Sequence, residues 1–165
     1  MAHTFVVNAS IHGVSLEDFK RLASDIELHE VVCKRIPGDN IEILQSEKQG
    51  DIYTLKRAYD LDVNMPEVAK KMLKGAFRLK RTDISDLAAM TSTIELGANL
   101  PLEASCKRSV KGTADQVDFH LEWTVKVKLP LISGMLERHA EGEIRKFSQI
   151  EIGIIEDEIH KQLSA

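Results

Sequence analysis

The clearest pattern in the chain is an unbroken alternation of apolar and polar residues from Val117 to Leu129. Because neighbouring side chains on a strand point to opposite faces of a sheet, this segment predicts a β-strand with one dry and one wet face. At a rise near 3.3 Å per residue, the strand would extend about 40 Å. A strand of that length indicates a strongly curved sheet.

A long amphipathic helix is predicted after Pro130, which has no N–H to donate to a sheet and therefore ends the strand. Apolar residues then recur at spacings of three and four, as one face of an α-helix requires. These residues are Leu136, Ala140, Ile144, Phe147, Ile150 and Ile154. The pattern predicts about 30 residues of helix with this face buried against the sheet.

The segments before this pair predict a first strand, one or two short helices and further strands. Ser15 stands three residues before Asp18 and resembles the N-cap of the first helix. The predicted strands are Thr4–Ser10, Ile41–Ser46, Ile52–Val63, Phe77–Asp83, Ser92–Leu100 and Ala104–Val110, and further short helices are predicted over Ile26–Cys33 and Glu67–Lys74. Antiparallel strands followed by one long helix favour a sheet that buries one face against that helix. No repeat or linker divides the sequence, so residues 1–165 are expected to form a single domain.

Composition and charge narrow the classes of function. Hydrophobic residues make up 43% of the chain and charged residues 29%, as in ordinary globular proteins. The net charge of −4 argues against a general nucleic-acid binder, which carries a basic surface. The two cysteines form no C-x-x-C pair and the N-terminus lacks a secretory pattern, so we expect reduced thiols in a cytoplasmic protein. No stretch approaches the length needed to cross a bilayer.

Three arginines fall on strand faces that are otherwise apolar. Arg57 shares its face with Tyr53 and Tyr59. Arg81 and Arg108 stand in comparable positions on two later strands. A guanidinium on an apolar face is costly unless it finds an acceptor. One hypothesis is that these arginines lie in a cavity and bind the carboxylate or phosphate of an amphiphilic ligand.

The alternative is that the arginines are satisfied within the protein. Glu95 and Asp83 are the acids that could pair with them, and a β-bulge could also turn an arginine outward. The apolar residues have two interpretations as well. Trp123 and its neighbours on the dry face either line a cavity or form the hydrophobic core. These two interpretations overlap where a cavity is part of the core.

The junction between the last strand and the helix resembles a known family. Val125–His139 (VKVKLPLISGMLERH) is similar to the corresponding junction of the START-like (SRPBCC, helix-grip) superfamily. More narrowly, it resembles a bacterial family of that superfamily named as a domain of unknown function. Tyr53–Tyr59 (YTLKRAY) resembles that family's aromatic and arginine-bearing third strand. Two departures are Ser133, which replaces the first glycine of a Gly pair, and Gln162-Leu163, where a tryptophan is typical.

The resemblance covers nearly the whole chain and implies an α+β helix-grip fold. In this fold a curved antiparallel sheet of about six to seven strands wraps round a long C-terminal helix, with one or two short helices after the first strand. It also implies an internal cavity for an apolar ligand. Relatives bind lipids, sterols, quinones or polyketides, and some catalyse cyclisation or serve as co-chaperones. Fold alone does not select among these functions.

The favoured hypothesis is binding, transport or sensing of a hydrophobic or amphiphilic small molecule, with no catalysis required. The expected ligand-binding residues are Tyr53, Arg57, Tyr59, Arg81, Arg108, Leu121, Trp123, Val125, Leu136, Ile144 and Phe147. One alternative is a polyketide cyclase/dehydratase-type enzyme, which needs an acid or base inside the cavity. The predicted inward residues include no histidine, and no catalytic residue is assigned. The other alternative is a co-chaperone-like interaction module with a large exposed apolar patch.

Two further expectations concern metals and membranes. None of the six histidines stands in a metal-binding spacing, so neither a metal nor a cofactor is expected. The segment Met65–Lys74 combines apolar residues with Lys70, Lys71 and Lys74. It is either a lid that transiently contacts an anionic membrane or a solvated connection on the rim of the sheet.

Overall fold

The computed structural model describes residues 2–165. The strands are β1 (His3–His12), β2 (Asp39–Gln49), β3 (Ile52–Asp60), β4 (Arg78–Asp86), β5 (Thr91–Ala98), β6 (Leu102–Gly112) and β7 (Gln116–Val127). The helices are α1 (Leu16–Ala23), α2 (Ile26–Arg35), α3 (Glu67–Lys70) and α4 (Ser133–Ser164). The order along the chain is β1-α1-α2-β2-β3-α3-β4-β5-β6-β7-α4.

Within residues 2–165 the strands form one antiparallel sheet in the order β1-β7-β6-β5-β4-β3-β2. The first strand therefore pairs with the last, with Phe5 opposite Trp123 and Val7 opposite Leu121. Helix α4 packs against the β1–β7 side of this sheet. The arrangement confirms the predicted α+β helix-grip fold.

Strand β7 shows the predicted alternation. Its residues alternate between buried and exposed positions, and Val117 and Val125 are fully enclosed. The strand ends at Val127, two residues before the predicted end at Leu129. Leu131 then adopts a positive φ of 72° and is fully exposed, which turns the chain from the sheet into α4. Positive φ is rare outside glycine, so this turn is locally strained.

Helix α4 has the predicted length, but one residue of its predicted inward face is wrong. Ile150 is 38% exposed, and the neighbouring Glu151 points into the protein instead. Adjacent helical positions are only about 100° apart, so either could have occupied the edge of the buried face. The inward orientation of Glu151 is fixed by its ion-pair partners on the sheet. Ile152 and Ile159 fill the main core.

The short helices close the sides of the sheet. The hydroxyl of Ser15 accepts a hydrogen bond from the N–H of Asp18 at 3.0 Å, which confirms the predicted N-cap of α1. Phe19 of α1 contacts Phe119 of β7 edge to face, with ring centroids 5.5 Å apart. Helix α3 ends at Lys70, four residues before its predicted end, and the chain continues through turns to Gly75 at a φ of 122°.

Candidate ligand cavity and buried ion cluster

An apolar cavity lies between α4 and the concave face of the sheet. Its volume is about 160 Å³. Inward residues of β3, β4 and β5 form one wall, including Tyr59, Leu79 and Leu96, and α4 forms the other with Ile144 and Phe147. A dry cavity of about 150 Å³ is large enough for a benzene-sized molecule. The cavity therefore has the size of one small ring or a short apolar chain.

The cavity has this position because α4 covers only part of the sheet. The helix packs on β1 and β7, so it stands away from β3 and β4. Contrary to expectation, Leu121 and Val125 line neither this cavity nor the smaller one described below, because they are buried in the main core beside the helix. The larger indole of Trp123 does reach the apolar cavity.

The segment around α3 forms the roof of the cavity. Met65, Ala69 and Met72 line it from above. Ala69 also packs in a small cluster with residues of the β7–α4 connection. His139 of α4 donates a ring N–H to the backbone carbonyl of Asn64, which ties this roof to the long helix.

Few polar side chains line the apolar cavity, and two of them carry a buried atom without a hydrogen-bond partner within residues 2–165. Trp123 is 3% exposed, and its indole N–H has no acceptor. A buried carboxylate oxygen of Glu143 also has no donor, although Lys146 Nζ lies 3.3 Å away at ion-pair distance. Burial raises the pKa of the Tyr59 hydroxyl, so this side chain stays neutral. The unpaired N–H of Trp123 could donate to a ligand.

A buried ion cluster forms the inner end of the cavity. Arg81 donates two hydrogen bonds to the carboxylate of Asp83, at 2.7 and 2.9 Å. It also donates to both oxygens of Glu151 on α4, at 3.1 and 3.0 Å. Arg57 donates to the same Glu151 at 3.1 Å. The cluster therefore connects β3 and β4 to the middle of α4.

The electrostatics of the cluster keep its carboxylates ionised. Burial alone would raise the pKa of Asp83, but the guanidinium groups of Arg81 and Arg57 outweigh it and lower this pKa to about 2. Burial likewise opposes ionisation of Glu151, and the same two arginines bring its pKa below the ordinary value. Arg57 and Arg81 are thus neutralised within the protein.

One of the two acids predicted to pair with the arginines does so. Asp83 does pair with Arg81, but Glu95 lies on the exposed face of β5 and contacts none of them. The sequence patterns did not predict the role of Glu151, although it follows Phe147 by four residues and therefore continues the apolar face of α4. A carboxylate on the otherwise apolar face of a helix indicates that a buried cation lies opposite it. This signal was present in the sequence.

A second chamber lies on the far side of the ion cluster, beneath α1 and α2. Its volume is about 80 Å³, and Glu151 lines both cavities. The wall includes Tyr53 and Arg57 from β3 and Arg108 from β6. His29 of α2 also lines it, and burial lowers the pKa of this histidine, so it is neutral.

The structure therefore divides the expected binding residues between two spaces. The residues that line the apolar cavity are Tyr59, Arg81, Trp123, Leu136, Ile144 and Phe147. Those that line the second chamber are Tyr53, Arg57 and Arg108. Among residues 2–165 there is no cluster of side chains suited to a metal ion. Over the same residues, no helix has the length and apolar character of a membrane span.

Comparisons with known proteins agree with the fold. A family model described as "Protein of unknown function (DUF2505)" matches residues 8–157. The aromatase/cyclase ZhuI from Streptomyces sp. R1128 is similar at a TM-score of 0.67 and 10% identity, over 99% of this chain and 96% of that one. Norcoclaurine synthase from Thalictrum flavum, solved with dopamine and hydroxybenzaldehyde, is similar at a TM-score of 0.61 and 14% identity, over 99% and 87%.

A START superfamily protein from Mycobacterium smegmatis is also similar, at a TM-score of 0.59 and 14% identity, over 97% of this chain and 99% of that one. A comparison with curated proteins finds no match. The structural likenesses confirm the START-like fold, and at these identities they show the fold alone.

Proposed function

The chain belongs to the DUF2505 family, and on this premise we propose that it binds a hydrophobic or amphiphilic small molecule in the apolar cavity, with no catalysis required. The observation that carries the proposal is an apolar-walled space of about 160 Å³ inside a protein whose interior would otherwise be close-packed. We further propose that residues 1–165 act as one domain in the cytoplasm. The free, buried thiols of Cys33 and Cys106 support a reducing compartment.

The proposed ligand has an apolar body of about one ring and at least one hydrogen-bond acceptor. The size follows from the cavity volume, and the acceptor would satisfy the unpaired indole N–H of Trp123. Two fold neighbours support small aromatic compounds as a first panel, since one is an aromatase/cyclase and the other was solved with dopamine and hydroxybenzaldehyde. The proposed contacts are Tyr59, Arg81, Trp123, Leu136, Ile144 and Phe147.

We propose that the ligand enters beneath the roof segment Met65–Lys74. Val68 and Met72 are exposed there, and Lys70, Lys71 and Lys74 are exposed beside them. Exposed apolar groups flanked by lysines suit transient contact with an anionic membrane surface while a ligand passes. Binding of the protein to anionic but not to neutral vesicles would support this route.

The central test combines ligand identification with a variant that fills the cavity. Native mass spectrometry of the freshly purified protein should reveal a bound small molecule, and the extract should identify it. Ile144→Trp places a large side chain into the cavity and should abolish thermal stabilisation by the identified compound or by a panel of aromatic compounds, fatty acids, sterols and quinones.

The matched control is Ile150→Trp, which adds the same side chain at an exposed position of the same helix. This control should respond to ligands as the native protein does. A protein that is isolated empty and is stabilised by no compound of the panel would contradict the proposal, as would equal responses of the two variants.

An enzyme acting on such a ligand is the second candidate. The specific observation is Glu143, a carboxylate at the apolar cavity with one buried oxygen free of hydrogen bonds. Such a group could serve as a general base. Conversion of the bound compound to a new mass by the native protein, and its loss in Glu143→Gln, would favour the enzyme over the carrier. Unchanged ligand in both proteins would favour the carrier.

A further inference from the structure

The second chamber differs from the apolar cavity in the groups that cross its wall. Tyr53, Ser85, Ser92 and Arg108 lie opposite one another on β3, β4, β5 and β6, and they form one row across the sheet. All four line the chamber. The Ser85 and Ser92 hydroxyl oxygens are 2.8 Å apart, and Arg108 Nη2 donates to Ser92 Oγ at 3.0 Å. The row therefore presents hydroxyl groups and a guanidinium to a space of about 80 Å³.

Among Arg57, Arg81 and Arg108, only Arg108 has no carboxylate partner within residues 2–165. The ion cluster offers Asp83 and Glu151, and both are engaged by Arg81 and Arg57. No carboxylate among residues 2–165 lies within ion-pair distance of Arg108. Its Nε atom is buried and has no hydrogen-bond acceptor in the same part of the chain. Arg57, which is 3% exposed, also has a buried Nε without an acceptor at this chamber.

None of the other titratable groups that the structure describes around the chamber forms an ion pair with Arg108. Asp86 stands at its edge, but one of its carboxylate oxygens accepts hydrogen bonds from the N–H groups of Ala88 and Ala89. His29 is neutral because burial lowers its pKa, and Arg108 adds to that shift. Burial also lowers the pKa of Arg108 itself. Arg108 is thus the guanidinium of this chamber that has no carboxylate within ion-pair distance among residues 2–165.

We propose that the second chamber is a binding site for a small monovalent anion, such as chloride or formate, held by Arg108 beside the hydroxyl row. A monovalent anion would supply the ion-pair partner that Arg108 lacks. The Nε atom of Arg108 is buried without an acceptor, and leaving such a group unpaired is costly, so the anion stabilises the native state. The chamber exceeds the roughly 15 Å³ that one water molecule needs by the same measure, so it has room for a small ion.

The proposal is independent of what occupies the apolar cavity. The two spaces lie on opposite sides of the Arg57–Arg81–Glu151 cluster. Filling the apolar cavity with Ile144→Trp should therefore abolish binding of the hydrophobic ligand and leave the anion effect in place. Failure of one proposal can in this way be distinguished from failure of the other.

The test is thermal unfolding of the full chain in sodium chloride or sodium formate, compared with sodium gluconate of the same ionic strength. Gluconate supplies a bulky anion and controls for screening. The native protein should gain about 3–6 °C in Tm when the small anion exceeds its Kd tenfold. Arg108→Gln should lose this gain. Lys107→Gln removes the same charge from the exposed face of the same strand and should keep it.

Three outcomes would overturn the proposal. One is a native protein that responds equally to chloride, formate and gluconate, and another is a gain that survives in Arg108→Gln. The third is stabilisation by octanoate without any by formate, which would make the anion the head group of a longer ligand.

If Arg108→Gln does not fold, the line width of the chloride NMR signal decides whether the chamber binds the anion. The native protein should broaden this signal, and formate should reverse the broadening; no broadening would refute the site.

Discussion

The two internal spaces are built on the same strands and have opposite characters. Along the inward face of β4, Leu79 borders the apolar cavity, Arg81 and Asp83 form the ion cluster, and Ser85 borders the second chamber. One strand thus passes from a dry space to a polar one within seven residues, counted from Leu79 to Ser85. The chemistry of each space is therefore set by position along the strands, and the ion cluster marks the boundary between the two.

The arginine at the apolar cavity is not free to anchor a ligand. Arg81 already has four hydrogen bonds to carboxylates, and a ligand carboxylate would have to displace Asp83 or Glu151. Arg108 has no such competitor. An anchor for a negative charge is therefore expected in the second chamber and not in the first.

The largest expected loss of stability comes from disrupting the ion cluster that separates the two spaces. Glu151→Gln takes away the only carboxylate paired with Arg57 among residues 2–165 and one of the two paired with Arg81. Breaking a buried ion pair leaves an uncompensated charge, so we expect the free energy of unfolding to fall by about 3–5 kcal/mol in urea denaturation. Asp157→Asn on the exposed side of α4 should cost far less, because solvent screens its ion pair with Arg35. Similar losses in the two variants would show that the cluster contributes no special stability.

The second expected effect is a loss of stability at low pH. The pKa of Asp83 is about 2 in the folded protein, below the ordinary value of 3.8, and that of Glu151 is lowered as well. A carboxylate whose pKa is depressed by folding stabilises the native state above its unfolded pKa, and this stability is lost as pH falls through the folded pKa. We therefore expect the free energy of unfolding to drop between pH 3.8 and about 2.

Asp83→Asn should make this drop shallower, because the amide does not titrate over that range. Glu103→Gln, which removes an exposed partner of Lys128, provides the control and should leave most of the drop in place. Denaturation curves recorded at several pH values decide the outcome. A drop of the same steepness in Asp83→Asn would locate the acid sensitivity outside the cluster.

The smallest expected effect tests the single unpaired donor of the apolar cavity. Trp123→Phe removes the indole N–H and should change stability by only about 1 kcal/mol, since loss of packing is offset by removal of an unsatisfied donor. Affinity for a ligand that carries a carbonyl should fall about tenfold relative to a hydrocarbon of the same shape, as calorimetry would show. Phe147→Leu should weaken both ligands alike. Parallel losses in Trp123→Phe would mean that the N–H does not contact the ligand.

The fold was predictable because its main signals are local. The alternation in β7 and the cap at Ser15 each depend on residues within a few positions, and both are present in the structure. The lining of the site was less predictable, because it depends on distant pairing. Whether Ile150 or Glu151 faces inward is decided by Arg57, which lies 94 residues from Glu151 in the chain. The position of α4 over β1 and β7 likewise removes Leu121 and Val125 from the cavities.

The attachment of α4 near its middle has a mechanical consequence. Glu151 lies slightly past the centre of a helix of 32 residues, with Leu136 and Ile144 over the apolar cavity on one side and Ile155 and Ile159 over the polar chamber on the other. The helix is also held near its start by His139 and near its end by Asp157 and Glu158, so it resists tilting about this middle point. We therefore expect a guest on one side to leave the other space unchanged, so that Glu151 insulates the two occupants from each other.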